Sequence, residues 1–164
     1  MRVVTKLGIG VGVAAAALGI ALATPIVGLT SPFLAVGNHQ GALRANGAGI
    51  AENGEAFSVH LDANGPAASS IQDAAIMPGG VNGWHKHPGM VVVMLVAGSI
   101  TWYDEHCNPT QYNAGDAWME GGQLHAFKVT SSTPIHIMAY FLTAQGLPVR
   151  TDEPAPECAG ALGL

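Results

Sequence analysis

The sequence predicts an all-β domain of the sandwich or barrel kind. Short apolar runs recur at a spacing of about 8 to 12 residues, and turn residues separate them, drawn from 22 Gly and 10 Pro in 164 residues. No stretch reads as a long amphipathic helix, a heptad array or an internal repeat, which disfavours bundles and α/β folds. Low charge agrees: 10% of residues are charged, against about a quarter in an average soluble chain.

Each element follows from its local pattern. Residues 57–61 form the first expected strand, closed by Asp62-Ala63-Asn64-Gly65-Pro66; residues 70–77 form the next, closed by Pro78-Gly79-Gly80. Residues 90–96 are an unbroken apolar run, too short for a helix and rich in β-branched residues, so a strand buried on both sides is expected. Residues 100–103, 117–119, 124–130 and 135–142 complete the set, with Asn113-Ala114-Gly115-Asp116 and Ser131-Ser132-Thr133-Pro134 as turns. Residues 24–54 are rich in Gly, Ala and Asn without periodicity and read as an irregular linker leading into a barrel over 55–150. A Pro-rich tail, 151–164, follows.

The amino terminus reads as an export signal. Arg2 and Lys6 precede an apolar stretch over 7–22, no further charge occurs before Arg44, and Ala21-Leu22-Ala23 has the small-x-small pattern that signal peptidase cleaves. Cleavage after Ala23 is expected. The alternative is an uncleaved membrane anchor, because the uncharged run continues through residue 29 and about 20 apolar residues span a bilayer. Either way the domain lies outside the cytoplasm, secreted or in the cell envelope, since the two positive charges hold the amino end inside.

Charge excludes one class of partner. The net charge is −5, and removing Arg2 and Lys6 with the signal makes the domain more acidic, with no basic patch for nucleic acid. The chain has room for one core and not for two domains. Its two cysteines suit an oxidising compartment: Cys107 lies in a polar turn and Cys158 in the tail, and no Cys-x-x-Cys spacing suggests redox or metal chemistry. A single Cys107–Cys158 disulfide is expected, pinning the tail to the domain.

His85 and His87 carry the strongest chemical signal. Residues i and i+2 of a strand project from the same face, so two imidazoles here can reach one metal ion, and His125, opening the apolar run after Gly121-Gly122, is the candidate third ligand. The same spacing also suits a plain polar pair.

The stretch Gly79-Gly80-Val81-Asn82-Gly83-Trp84-His85-Lys86-His87, followed by an apolar strand ending at Gly98, resembles the first motif of the cupins. The segment from Gly115 through Gly122 to His125 resembles the second motif more loosely, with Glu120 where the turn proline stands. Trp84-His85-Lys86-His87-Pro88-Gly89 with Cys107 and the Pro-rich Cys158 tail is similar to small exported cupins. The resemblance implies a double-stranded β-helix, or jelly-roll barrel, often dimeric, with a metal or small-molecule pocket at its centre. Where cupins place a metal-binding Glu the register puts Val91, so the ligands it implies are His85, His87 and His125. Three neutral imidazoles leave a divalent ion its full charge and open positions. Iron, manganese, zinc, nickel and copper all suit such a set.

Other residues carry weaker signals. His136, Met138 and Tyr140 alternate on one face of their strand: facing inward they would orient a substrate or a ligand imidazole, facing outward they are ordinary surface residues. Glu120 is a candidate general acid or base, or a solvated turn carboxylate. Trp84, Val91 and Met138 are candidate substrate contacts. His39, His60 and His106 have no supporting pattern.

Two functions are expected from these residues. One is a secreted metal-dependent oxidoreductase, dioxygenase-like, acting on a small molecule, since some cupins with three His and no Glu are dioxygenases. The other is a non-catalytic exported module that binds a small molecule or sugar. No Ser-His-Asp arrangement stands near the motif, so hydrolysis is not expected.

Overall fold

The computed structural model describes residues 29–164. The export signal or anchor read over residues 1–23 lies outside the described residues. Within them, no helix is long and apolar enough to cross a membrane.

The chain runs through β1 (Leu29–Thr30), β2 (Phe33–His39), β3 (Leu43–Ile50), β4 (Ala56–Ala63), β5 (Ala67–Ile76), β6 (His85–Lys86), β7 (Met90–Ala97) and β8 (Ser99–Tyr103). It continues through β9 (Pro109–Asn113), β10 (Ala117–Glu120), β11 (Ala126–Val129), β12 (Ile135–Ala144), β13 (Thr151–Asp152) and a 3-10 turn at Glu157–Ala161. The first sheet has the order β1-β5-β12-β7-β10, with β2 also paired to β5. The second has the order β11-β8-β9. Bridges Val81↔Lys128 and His85↔His125 attach the β6 segment to it, and β13 pairs with β6.

The two sheets close on one core. Val91, Val93 and Leu95 of β7, Ile137, Ala139 and Phe141 of β12, and Ala74 and Ile76 of β5 meet Ile100, Phe127 and Val129 of the second sheet. Each fully buried aliphatic or Phe side chain contributes about 1.5–3 kcal/mol, and the alternation of inward and outward residues fixes the register that achieves it. The architecture is the double-stranded β-helix expected from the motifs.

Two glycines let the sheets approach. A Cβ on Gly89 would lie 2.1 Å from the Leu142 carbonyl oxygen, so only glycine allows the chain leaving His87 to pass the β12 backbone. Gly98 turns β7 into β8 at a φ of +84°, with Ile135 and Ser131 against it.

Several expectations are corrected. Residues 24–54 contain strands β2 and β3 where a linker was expected. The β3–β4 hairpin stands apart from both sheets and is exposed along almost its whole length, so no buried face imposed an apolar period on its sequence. Strand β7 is buried on one side only, with Met94 and Val96 exposed on the other. Strands β9 and β13 lack an apolar pattern because they are exposed edges. The Cys107–Cys158 disulfide is present, with its Cα atoms 6.2 Å apart.

Candidate metal centre

Backbone pairing assembles the site. His85 and His125 face each other across a narrow antiparallel bridge in which each amide donates to the other's carbonyl at 3.0 Å. This sets their rings side by side, with centroids 4.2 Å apart. His87, two residues on, lies on the same side, and its amide donates to the Gly121 carbonyl at 3.0 Å. Glu120 ends β10 on the facing sheet. The four side chains offer ligand atoms that all lie within 4.8 Å of one another, and all four residues are buried in the barrel.

Each imidazole is turned the same way by a hydrogen bond at its far side. Nδ1 of His85 donates to the Gly83 carbonyl at 2.9 Å, Nδ1 of His87 to that of Val149 at 2.7 Å, and Nδ1 of His125 to that of Gln123 at 2.8 Å. A carbonyl can only accept, so each Nδ1 carries the proton and a neutral ring presents its Nε2 lone pair to the centre. The His85 and His87 Nε2 atoms are 3.1 Å apart. His125 Nε2 is buried and makes no hydrogen bond among the described residues.

Glu120 is held as firmly. Its Oε1 accepts from two indoles, Trp102 Nε1 at 3.0 Å and Trp118 Nε1 at 2.8 Å. Its Oε2 is thereby aimed at His87 Nε2, 3.2 Å away, and at His125 Nε2, 3.3 Å away. Trp102 also stacks on His125, and Tyr112 stacks on Trp118.

Electrostatics favour lone pairs over protons. Burial, reinforced by His125 and Arg150, lowers the His85 pKa to about 2, which keeps that ring neutral. Burial alone would raise the Glu120 pKa, but His125 and His87, whenever Nε2 carries a proton, donate to its carboxylate, outweigh burial and hold the carboxyl well below its ordinary range, so Glu120 stays ionised. Three nitrogen lone pairs and a carboxylate oxygen directed at one point repel one another, and a cation there removes the repulsion. The donor set fits a divalent transition metal.

The cluster borders a partly open cavity of about 110 Å³ with mostly apolar walls, among them Val91, Val93, Phe127 and Phe141. Of the expected substrate contacts, Val91 lines it. Trp84 does not: it is fully buried in a separate cluster with Ala126 and Ala159, beside the disulfide. Met138 does not either, because β12 turns Ile137, Ala139 and Phe141 inward and places His136, Met138 and Tyr140 on the outer face. There His136 meets Asp73 at 2.5 Å, and the Tyr140 hydroxyl bonds Ser69, which in turn bonds His39.

The clearest correction concerns Glu120. The resemblance implied a three-His set without a carboxylate; the structure places Glu120 in the cluster, paired across the ladder with Val91, and the site carries a negative charge. Its alternation with Trp118 was a usable signal, since residues 118 and 120 of one strand share a face. Trp102 and Trp118 as its donors, and Arg150 in the cavity wall, were not identified from sequence.

Fold and site together define a class: a single double-stranded β-helix barrel with a buried candidate metal centre of three His and one Glu. No family model matches the chain, and no curated protein matches it. Among solved structures it is similar to a protein with a double-stranded β-helix domain from Klebsiella pneumoniae, at 19% identity and a TM-score of 0.46, covering 52% of this chain and 75% of that one. A cupin-like protein from Thermotoga maritima is similar at 15% identity and a TM-score of 0.44, covering 53% and 65%. Peruvianin-I, a cysteine peptidase from Thevetia peruviana latex, is similar at 18% identity and a TM-score of 0.46, and the match spans 53% of this chain and only 56% of that protein.

Proposed function

We propose that this chain is an exported barrel protein that binds one divalent transition metal through Nε2 of His85, His87 and His125 and Oε2 of Glu120, and that it acts as a dioxygenase-like oxidoreductase on a small molecule held beside the metal. One observation carries the reading: three imidazoles, each fixed through Nδ1 by a backbone carbonyl, aim Nε2 at the same point as a carboxylate fixed by two indoles. Bound there, a divalent metal supplies Lewis acidity and, if redox-active, the means to use dioxygen. The chain's own contribution is to orient four donors in advance and to wall the cavity with apolar side chains that exclude water.

Export is supported by the Arg2 and Lys6 leader with Ala21-Leu22-Ala23 and by the Cys107–Cys158 bond, which suits an oxidising compartment.

Elemental analysis before and after chelation and reloading tests the metal centre. About one metal per chain is expected, lost in a His85→Ala, His87→Ala variant that keeps its β-rich circular dichroism. Wild-type protein that stays metal-free after reloading overturns the proposal. The second reading, a non-catalytic binding module, draws on the predominantly apolar cavity wall. Oxygen uptake by the metal-loaded protein with catechols, diketones or thiols separates the two.

A further inference from the structure

The segment after β12 does two things at the cavity. Its Val149 carbonyl fixes the His87 ring, and the next residue, Arg150, lines the cavity that the metal cluster borders. Among the described residues, Arg150 is the only arginine or lysine in that wall. Its Nε donates to Asp152 Oδ1 at 2.5 Å, yet its Nη2 is buried and has no hydrogen-bond partner among the described residues. A guanidinium stays charged at physiological pH, and a buried charged donor without an acceptor is costly. Such a group calls for a partner that the protein's own side chains do not supply.

We propose that Arg150 is the anion anchor of this cavity and that the molecule held beside the metal is a small monocarboxylate with a short apolar tail. The guanidinium fork matches a carboxylate. A divalent ion with three neutral imidazoles and one Glu keeps a net positive charge, so the same end of the cavity attracts an anion twice over. Val93, Ile137, Ala139 and Phe141 give the remainder of the molecule a largely apolar surface, with Gln72 and Asn82 as the uncharged polar side chains in the wall. The volume, about 110 Å³, suits a molecule of a few heavy atoms: an enclosed apolar cavity of roughly 150 Å³ accepts benzene. The metal reading underlies only the position beside the ion; the orphaned Arg150 donor stands independently of it.

The test is calorimetric titration of butyrate, butyramide and inorganic phosphate into the full chain, as loaded with Zn²⁺ and as stripped by chelation, with zinc content measured in each sample. Butyrate is expected to bind at least about tenfold more tightly than either butyramide or phosphate. Arg150→Gln is expected to weaken butyrate by a similar factor while zinc content is unchanged, and Arg150→Lys, which keeps the charge without the fork, to fall between. Butyrate binding equally well to Arg150→Gln, or no more tightly than butyramide or phosphate, overturns the proposal. A chain that retains no zinc defeats the metal reading alone, because the stripped wild type and Arg150→Gln still differ in butyrate affinity if Arg150 is the anchor. Should Arg150→Gln not fold, Arg150→Lys and the comparison of the three ligands on wild type decide the matter.

Discussion

Val91 of β7 and Glu120 of β10 are direct partners in an antiparallel ladder, so their side chains rise from the same face of the first sheet into the cavity. The cupin motif that the sequence resembles has its Glu at the position of Val91; here the carboxylate of the cluster stands on the neighbouring strand. Directly opposed residues in such a ladder have Cβ atoms about 4.5–5.5 Å apart, a distance that the length of a Glu side chain spans.

That relationship predicts an exchange experiment. Glu120→Val is expected to reduce metal affinity by more than the roughly 10- to 100-fold that loss of a supporting partner costs. Adding Val91→Glu is expected to restore part of it, because the carboxylate returns to the same face. Metal affinity measured by competition with a chelator checks both, and an exchanged protein that binds no better than Glu120→Val contradicts the shared geometry.

The indoles of Trp102 and Trp118 are positioning residues acting through Glu120. Replacing either by Phe keeps an aromatic ring but removes a buried hydrogen bond to a charged acceptor, worth about 1.5–3 kcal/mol. Each variant is expected to bind metal about 10- to 100-fold more weakly with its fold retained. Chelator competition alongside circular dichroism reads the two effects separately.

The Cys107–Cys158 bond joins residues 51 apart in sequence. In the chain-entropy model a loop of that length stabilises by about 4 kcal/mol as an upper figure. Paired Cys107→Ala, Cys158→Ala replacement is expected to lower the melting temperature and to expose Trp84, whose cluster includes Cys107 and the tail residue Ala159. Thermal melts and tryptophan fluorescence check it; an unchanged melt contradicts it.

Asp104 gives a pH signature away from the metal. Its carboxylate accepts from the His106 and Asn108 amides and the Asn108 side chain, closing the turn in which Cys107 takes a φ of +62°. The Asn108 side chain is the largest cause holding the Asp104 pKa below its ordinary value of 3.8; burial opposes it, and the Asn108 and His106 amides add to the lowering. A depressed folded-state pKa means the folded chain binds this proton less readily than the unfolded one. Its stabilisation is therefore complete above the unfolded value and disappears as pH falls through the folded one. The effect is small, because the turn is solvent-screened. Asp104→Asn is expected to melt below wild type at neutral pH, with the gap closing as the pH drops below 3.8.

How much of this was legible beforehand depended on whether the determining interaction was local. Period-two spacing put His85 and His87 on one side whatever the strand paired with, and turn residues marked the principal strands of both sheets. The β3–β4 hairpin was illegible because it buries no face, and burial is what writes an apolar period into a sequence.

The sequence by itself therefore determined the all-β class, the three histidines, the lone cysteine pair and the alternation of β12. Only the tertiary structure decided which face of β12 turns inward, removing His136, Met138 and Tyr140 from the cavity, and which carboxylate completes the cluster. It also placed Val149 and Arg150 there, from a segment more than 60 residues beyond His87. The physical reason is that a strand's own chemistry fixes which residues share a side. Its neighbour across the ladder, and so the partner of each side chain, is chosen by pairing between segments far apart in the chain.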